Sequence, residues 1–288
     1  MRGAAFVVCV LLSTLSLPGC VRLALDAFPS FIPGLTQAFF EECDPDLARN
    51  SLPAELKLLE GLLKNDPGNK QVLTALCMGF TGYALLFVEQ EDPQRASRLY
   101  ERAMGYGFSA LGLGSPLNRG GLTEKKARLE RLRDAGPEDA KILFWSSMSW
   151  NAWINLNLDR PTALAQLGTA EAYLKRLLEI KPDYFFGVPY VLMGSILSAK
   201  PGLLGGEPKR AKACFEEAIR LSGGKFLLVH YYFAKYYAVR VQNKTLFQRL
   251  IREVEDTDPS ALRQACLINA VMKQRVRHLK EREGEFFF

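Results

Sequence analysis

Apolar positions along this chain recur at spacings of three and four. The clearest stretch runs from Tyr190 to Gly224, where Tyr190, Met193, Gly194 and Leu197 fall at i, i+3, i+4 and i+7, and Ala211, Phe215 and Ala218 keep the same period. That pattern predicts two amphipathic helices joined by a turn at Gly205-Gly206-Glu207-Pro208. Gly194 and Ala211 lie in the packing faces, where a small residue leaves room for a large one on the neighbouring helix. The same offsets return in Phe80, Tyr83, Ala84 and Phe87, followed by Ala96, Tyr100 and Ala103. Between them Asp92 can cap and Pro93 can open the second helix. A further pair reads as Trp145, Met148, Ser149 and Ala152, then Ala170, Leu174 and Leu177 after an Asp159-Arg160-Pro161 turn. The last pair carries Tyr231, Ala234 and Ala238, then Phe247, Ile251 and Val254. No stretch reads as strand, since runs such as Phe226 to Val229 continue into a helical period, so the fold class is all-α.

Helix pairs that alternate large and small residues at a fixed offset predict an α-solenoid of tetratricopeptide-like helix-turn-helix repeats. The pairs fall at about 70–106, 138–182, 184–222 and 224–258, inside an array spanning 51–288. An N-terminal leader, 20–50, is broken by prolines and holds a short helix near 35–42. Pro53 then suits a first helical turn, opening a lone helix with a Leu56, Leu59, Leu62 and Leu63 stripe that stops at Asn65-Asp66-Pro67-Gly68-Asn69. A Gly-rich insertion, 105–121, leads to a charged helix at about 123–134. A final basic helix, 259–282, forms the C-terminal cap, and Phe286-Phe287-Phe288 reads as a loose tail.

Stacking turns the first helix of each pair, helix A, toward a concave face. The positions one, five and eight beyond each packing start point there: Thr81, Leu85 and Val88; Ser146, Trp150 and Trp153; Val191, Ser195 and Ser198; Tyr232, Tyr236 and Val239. This mixture of aromatic and small residues suits a groove for a ligand or partner and equally suits a core between repeats.

The N-terminus carries a targeting pattern: Arg2, an apolar run from Ala4 to Leu12, then Leu17-Pro18-Gly19-Cys20. The run is too short to span a bilayer. Leu three before and Gly one before a cysteine resemble a bacterial lipobox, which makes 1–19 a lipoprotein signal and Cys20 a lipidated N-terminus that anchors without spanning. The alternative is an ordinary signal peptide cut nearby.

Composition narrows the function. The 288 residues carry a net charge of +6, but acidic and basic residues are interspersed rather than clustered, which argues against a nucleic-acid partner. The two histidines, His230 and His278, stand outside any catalytic motif, and Glu216-Glu217 point to different faces of a helix. Gly205-Gly206 follows a helix rather than a strand, unlike a phosphate cradle. The expectation is no enzyme, no cofactor and no metal. Beyond Cys20 there remain Cys43, Cys77, Cys214 and Cys266; the last three lie in apolar helical patterns without CxxC spacing and are expected to be buried small residues rather than disulfide partners or metal ligands.

Several segments together are similar to one family. They are Asp44-Pro45 with Leu52 to Glu60, Gly79 to Ala84, Ala96 to Tyr106, Gly205 to Ala211 with Phe215 to Ile219, and Phe226 to Tyr237. They resemble the T-component (TatT) of TRAP transporters, tetratricopeptide-like lipoproteins associated with a periplasmic solute-binding protein and a sodium-coupled membrane transporter. The resemblance covers nearly all of the mature chain; Pro18 in the lipobox and the shifted spacing of the second pair depart from it. It implies a periplasmic accessory protein, anchored to a bacterial membrane, that docks the solute-binding protein, assembles with itself and passes a poorly soluble, apolar ligand. A scaffold of cell-envelope assembly and a free-standing apolar carrier are the alternatives.

Overall fold

The computed structural model describes residues 30–117, 122–200 and 206–287. The signal segment and Cys20 lie outside them. Among the described residues all regular structure is helical.

The chain enters through α1 (Phe31–Glu41) and α2 (Pro45–Asn65). The Asp44 carboxylate caps α2, accepting from Asp46 N at 2.9 Å and Leu47 N at 3.2 Å. Pro53 therefore does not open this helix but lies inside it, where its missing N–H interrupts the ladder for one bond. Next come α3 (Lys70–Tyr83), which a π-turn extends through Ala84–Val88, and α4 (Pro93–Ala110). The Asp92 carboxylate caps α4 by accepting from Arg95 N at 2.9 Å. The 19 residues Lys70–Val88 are apolar and long enough to cross a membrane, but 78% of their most apolar window is buried inside the protein, as in a core helix.

After α5 (Leu122–Arg133) the chain continues through α6 (Ala140–Leu156), the short α7 (Pro161–Leu164), α8 (Leu167–Ile180), α9 (Tyr184–Ala199) and α10 (Pro208–Ser222). The run ends with α11 (Leu227–Tyr232), carried on by a second π-turn at Phe233–Ala238, then α12 (Lys244–Asp256), α13 (Cys266–Glu281) and α14 (Glu283–Phe286).

Successive helices pack antiparallel. In α9 and α10, Gly187 faces Ala218 and Leu221, Gly194 faces Ala211 and Phe215, and Glu207 N donates to Leu197 O at 3.3 Å. At Gly194 the approach is so close that an added Cβ would lie 2.9 Å from Phe215 Cε2 and 3.2 Å from Ala211 O. α6 runs antiparallel to α4, held by Trp153 Nε1 donating to Glu101 at 2.9 Å and Asn157 Nδ2 donating to Ser97 Oγ at 2.9 Å.

The two ends of the chain meet. Cys43, just after α1, is disulfide-bonded to Cys266, the first residue of α13, across 223 positions of sequence, with their Cα atoms 5.1 Å apart. This corrects the expectation of an unpaired Cys266; Cys77 and Cys214 are free. Beside the bridge Arg263 Nε donates to Glu41 at 3.1 Å. Arg275 of α13, one of the charges of the basic C-terminal helix, is buried and donates to the carbonyls of Leu85 and Leu86 (3.2 Å to Leu86). Those carbonyls belong to the first π-turn, where the α-helical ladder is broken and acceptors need another donor. Asn269, fully buried, donates to Lys225 O and Pro259 O and accepts from Leu227 N at 2.9 Å, which satisfies the first turn of α11. Two residues of the expected loose tail are packed: Phe286 and Phe287 lie 6.4 and 5.2 Å from the Phe247 ring, centroid to centroid, while Phe288 lies outside the described residues.

One turn is strained. Phe185, Phe186 and Gly187 have φ of 47°, 59° and 84°, a left-handed conformation that costs each phenylalanine roughly 1–2 kcal/mol. Their rings join a cluster that offsets this. Phe185 lies 5.3 Å from Phe40, 5.5 Å from Trp145 and 5.8 Å from Phe226, tying α1, α6 and α11 together.

Candidate ligand-binding cavity

Antiparallel pairing leaves one face of α3, α6, α9 and α11 turned inward, and these faces border a cavity of about 330 Å³. α3 and its π-turn supply Thr81, Leu85 and Glu89, while α6 supplies Met148, Asn151, Ala152, Ile154 and Asn155. α9 supplies Leu192, Ser195, Ile196 and Ala199, and α11 with its π-turn supplies Tyr232 and Tyr236. Tyr100, Leu158, Leu167 and Lys200 complete the wall, and Asn155 and Leu158 are solvent-exposed. The lining is mostly apolar with a few separated polar groups, the composition of a small-molecule site, and the volume falls in the lower range of such sites.

Of the residues singled out by periodicity, Thr81, Leu85, Ser195, Tyr232 and Tyr236 come together on this wall. The remainder do not line it. Trp150 is buried between Phe108 and Tyr173, at centroid distances of 5.3 and 5.5 Å, with its Nε1 donating to Gln166 at 2.6 Å. Trp153 is tied to Glu101 of α4. Val88, Ser146 and Val191 are buried, Ser198 donates to Gly194 O at 2.8 Å, and Val239 is half-buried beyond the second π-turn. In α6 the register differs, because Met148 and Ala152, read as packing positions, border the cavity. The tryptophans are drawn to the opposite side, where α4 and α8 offer aromatic and hydrogen-bonding partners.

Sequence reasoning missed Glu89, Tyr100, Asn151 and Lys200. Tyr100 was read as a packing residue, and Glu89 and Lys200 stand at helix ends where charge is ordinary.

A polar cluster occupies one part of the wall. The Tyr100 hydroxyl donates to Glu89. Burial pushes the Tyr100 phenol well above its ordinary value, and the Glu89 carboxylate adds to that. Tyr232 is raised strongly and Tyr236 is raised, burial being the largest cause in both, so all three are neutral hydroxyls. Lys235 Nζ lies over the rings of Tyr231 and Tyr236, at 5.7 and 5.1 Å. Lys200 donates to Glu171, which also receives Lys175 at 3.0 Å. Burial pushes the Glu171 carboxyl up, but the two lysines outweigh it and hold it below the usual range.

Little here supports covalent chemistry. Burial raises the free thiol of Cys77 to about 12, far from a reactive thiolate. Among the described residues no three His, Cys, Asp or Glu side chains gather as a metal site.

An apolar cavity between helices has the geometry of a small-molecule site. The chain belongs to the family of TRAP transporter T-components, which it matches over residues 41–287. It is also similar to an uncharacterized protein of Treponema pallidum (strain Nichols), 26% identical over 271 residues, covering 88% of this chain and 83% of that protein. The family makes it an accessory component of a TRAP transporter, a transport rather than an enzyme family.

Proposed function

We propose that this protein is a non-enzymatic periplasmic lipoprotein that docks the solute-binding protein of a TRAP transporter and holds a poorly soluble, apolar ligand in transit. The observation that carries the ligand half of this reading is the 330 Å³ cavity, whose wall comes chiefly from α3, α6, α9 and α11. A carrier needs apolar area to hold its cargo and enough separated polar groups to orient it; Leu85, Leu192 and Ile196 supply the first, Asn151 and Ser195 the second.

Family membership supports the partner half. The pairs, read as tetratricopeptide-like repeats, would give such a partner an extended helical surface, and assembly of several copies would enlarge it. Cys20 is the lipid-anchored residue in this reading, following Leu17-Pro18-Gly19. The test is co-purification of tagged protein with a TRAP solute-binding protein from the same cells, with cross-linking to preserve a transient complex. A stoichiometric complex supports the reading. Two components that remain separate at high concentration, with and without apolar additives, would overturn the docking role.

A further inference from the structure

Two charged side chains line the cavity, Glu89 and Lys200. They differ in how they are satisfied. Lys200 is neutralised by Glu171, a carboxylate held outside the lining. Glu89 is half-buried and makes no ion pair among the described residues; one carboxylate oxygen accepts from the Tyr100 hydroxyl, and the other has no donor. Two further cations stand behind the lining: Arg275 donates to the carbonyls of the first π-turn, and Lys235 lies over the faces of Tyr231 and Tyr236, its charge favoured in part by Glu89 but not within ion-pair distance of it. The wall on this side is completed by Tyr100, Tyr232 and Tyr236.

A carboxylate with an open acceptor, set among phenol rings at the surface of an apolar cavity, is complementary to an ammonium group. The carboxylate offers a charge-assisted hydrogen bond, and the aromatic rings favour a cation near their faces. The apolar walls beyond, from Leu85 to Leu192 and Ile196, fit an aliphatic body.

We infer that the ligand of this cavity is an amphiphilic amine, an aliphatic molecule with a protonated amino group that pairs with Glu89. The inference rests on the reading of the cavity as a ligand site and adds the sign of charge that the site selects. An apolar carboxylic acid would set its charge against Glu89, and the wall's lysine is already paired.

Calorimetric titration of the full mature protein with octylamine, octanol and octanoate at neutral pH, each kept below micelle-forming concentration, tests it. Octylamine should bind about tenfold or more tightly than octanol, the scale of one charge-assisted hydrogen bond in a partly enclosed site. Octanoate should bind more weakly than either. In Glu89→Gln, which keeps an acceptor for Tyr100, the ratio of octylamine to octanol affinity should fall to about one, and a melting curve that overlays the wild type's shows the cavity intact. Equal binding of amine and alcohol, or an amine preference that survives Glu89→Gln, overturns the inference but leaves the cavity reading standing. Preferential octanoate binding that is lost in Lys200→Gln would overturn it in favour of the opposite polarity. No binding of any probe would overturn the cavity reading itself.

Discussion

Replacing Gly194 with leucine tests the pairing of α9 with α10 at its tightest point. The first side-chain carbon alone would sit 2.9 and 3.0 Å from two atoms of the Phe215 ring and 3.2 Å from the Ala211 carbonyl oxygen. Relief by rotation of Phe215 is blocked, since that ring is fully buried and stacks on Phe233 at 4.8 Å with 12° between planes. Helix propensity works the other way, because removing a glycine from a helix interior stabilises by about 0.5–1 kcal/mol. Overpacking costs roughly 1–3 kcal/mol and more where the backbone is in contact, as here. The net for leucine is a loss of roughly 2 kcal/mol or more, and alanine, whose Cβ alone makes these contacts, is destabilised as well though less. In a chain of this size that lowers the melting temperature by roughly 4–10 °C. Gly61 is the control: an exposed α2 position with nothing within 4 Å of an added Cβ, where alanine should stabilise slightly. Thermal and urea melts of the three variants decide it. A Gly194→Leu protein that melts with the wild type would show that the two helices do not approach as described.

Reducing the Cys43–Cys266 bridge, or replacing both residues with alanine, should cost roughly 2–5 kcal/mol in urea unfolding because the bridge closes a very long loop; identical curves with and without reductant would contradict this. Arg275→Met leaves the Leu85 and Leu86 carbonyls without their donor and should destabilise by about 2–4 kcal/mol in the same assay, against no change if those carbonyls find water. Burial holds buried His230 below the ordinary 6.5, with Glu253, 3.4 Å from Nε2, pulling the other way. The unfolded imidazole therefore binds a proton first as pH falls, so stability drops as pH goes below about 6.5 toward the folded value. His230→Gln should flatten that part of the profile, and parallel profiles for the two proteins would refute the assignment. Mass spectrometry of membrane-extracted protein should find acyl chains on Cys20, and a free thiol there with the mature N-terminus elsewhere would remove the anchor.

The helical period was legible because burying one face of a helix writes a repeat of three and four into the sequence, as at Tyr190 to Leu197 and Ala211 to Ala218. The cap at Asp92 was legible for the same local reason. What depends on contacts across the fold was not. The Cys43–Cys266 pairing follows from the ends of the chain meeting, and nothing near either cysteine signals it. Arg275 reads as one more basic residue until the π-turn at Ala84–Val88 supplies acceptors, and that turn is a backbone event with no residue pattern of its own. The same limit governs the cavity. In α3 and α11 the helical offset reached Thr81, Leu85, Tyr232 and Tyr236, but in α6 the largest side chains, Trp150 and Trp153, turn to α4 and α8 and leave Met148 and Ala152 on the cavity side. Pro53 was misread because a proline inside a long helix and one at its first turn look alike locally.

The most direct test of the carrier role is organic extraction and mass spectrometry of the protein purified from its own envelope, compared with an Ala152→Trp variant that fills the cavity from α6. The account predicts a bound aliphatic molecule in stoichiometric amount from the wild type and none from the variant, with both proteins melting alike. The same molecule recovered equally from both, or a wild-type cavity that carries and takes up no apolar molecule, would contradict it.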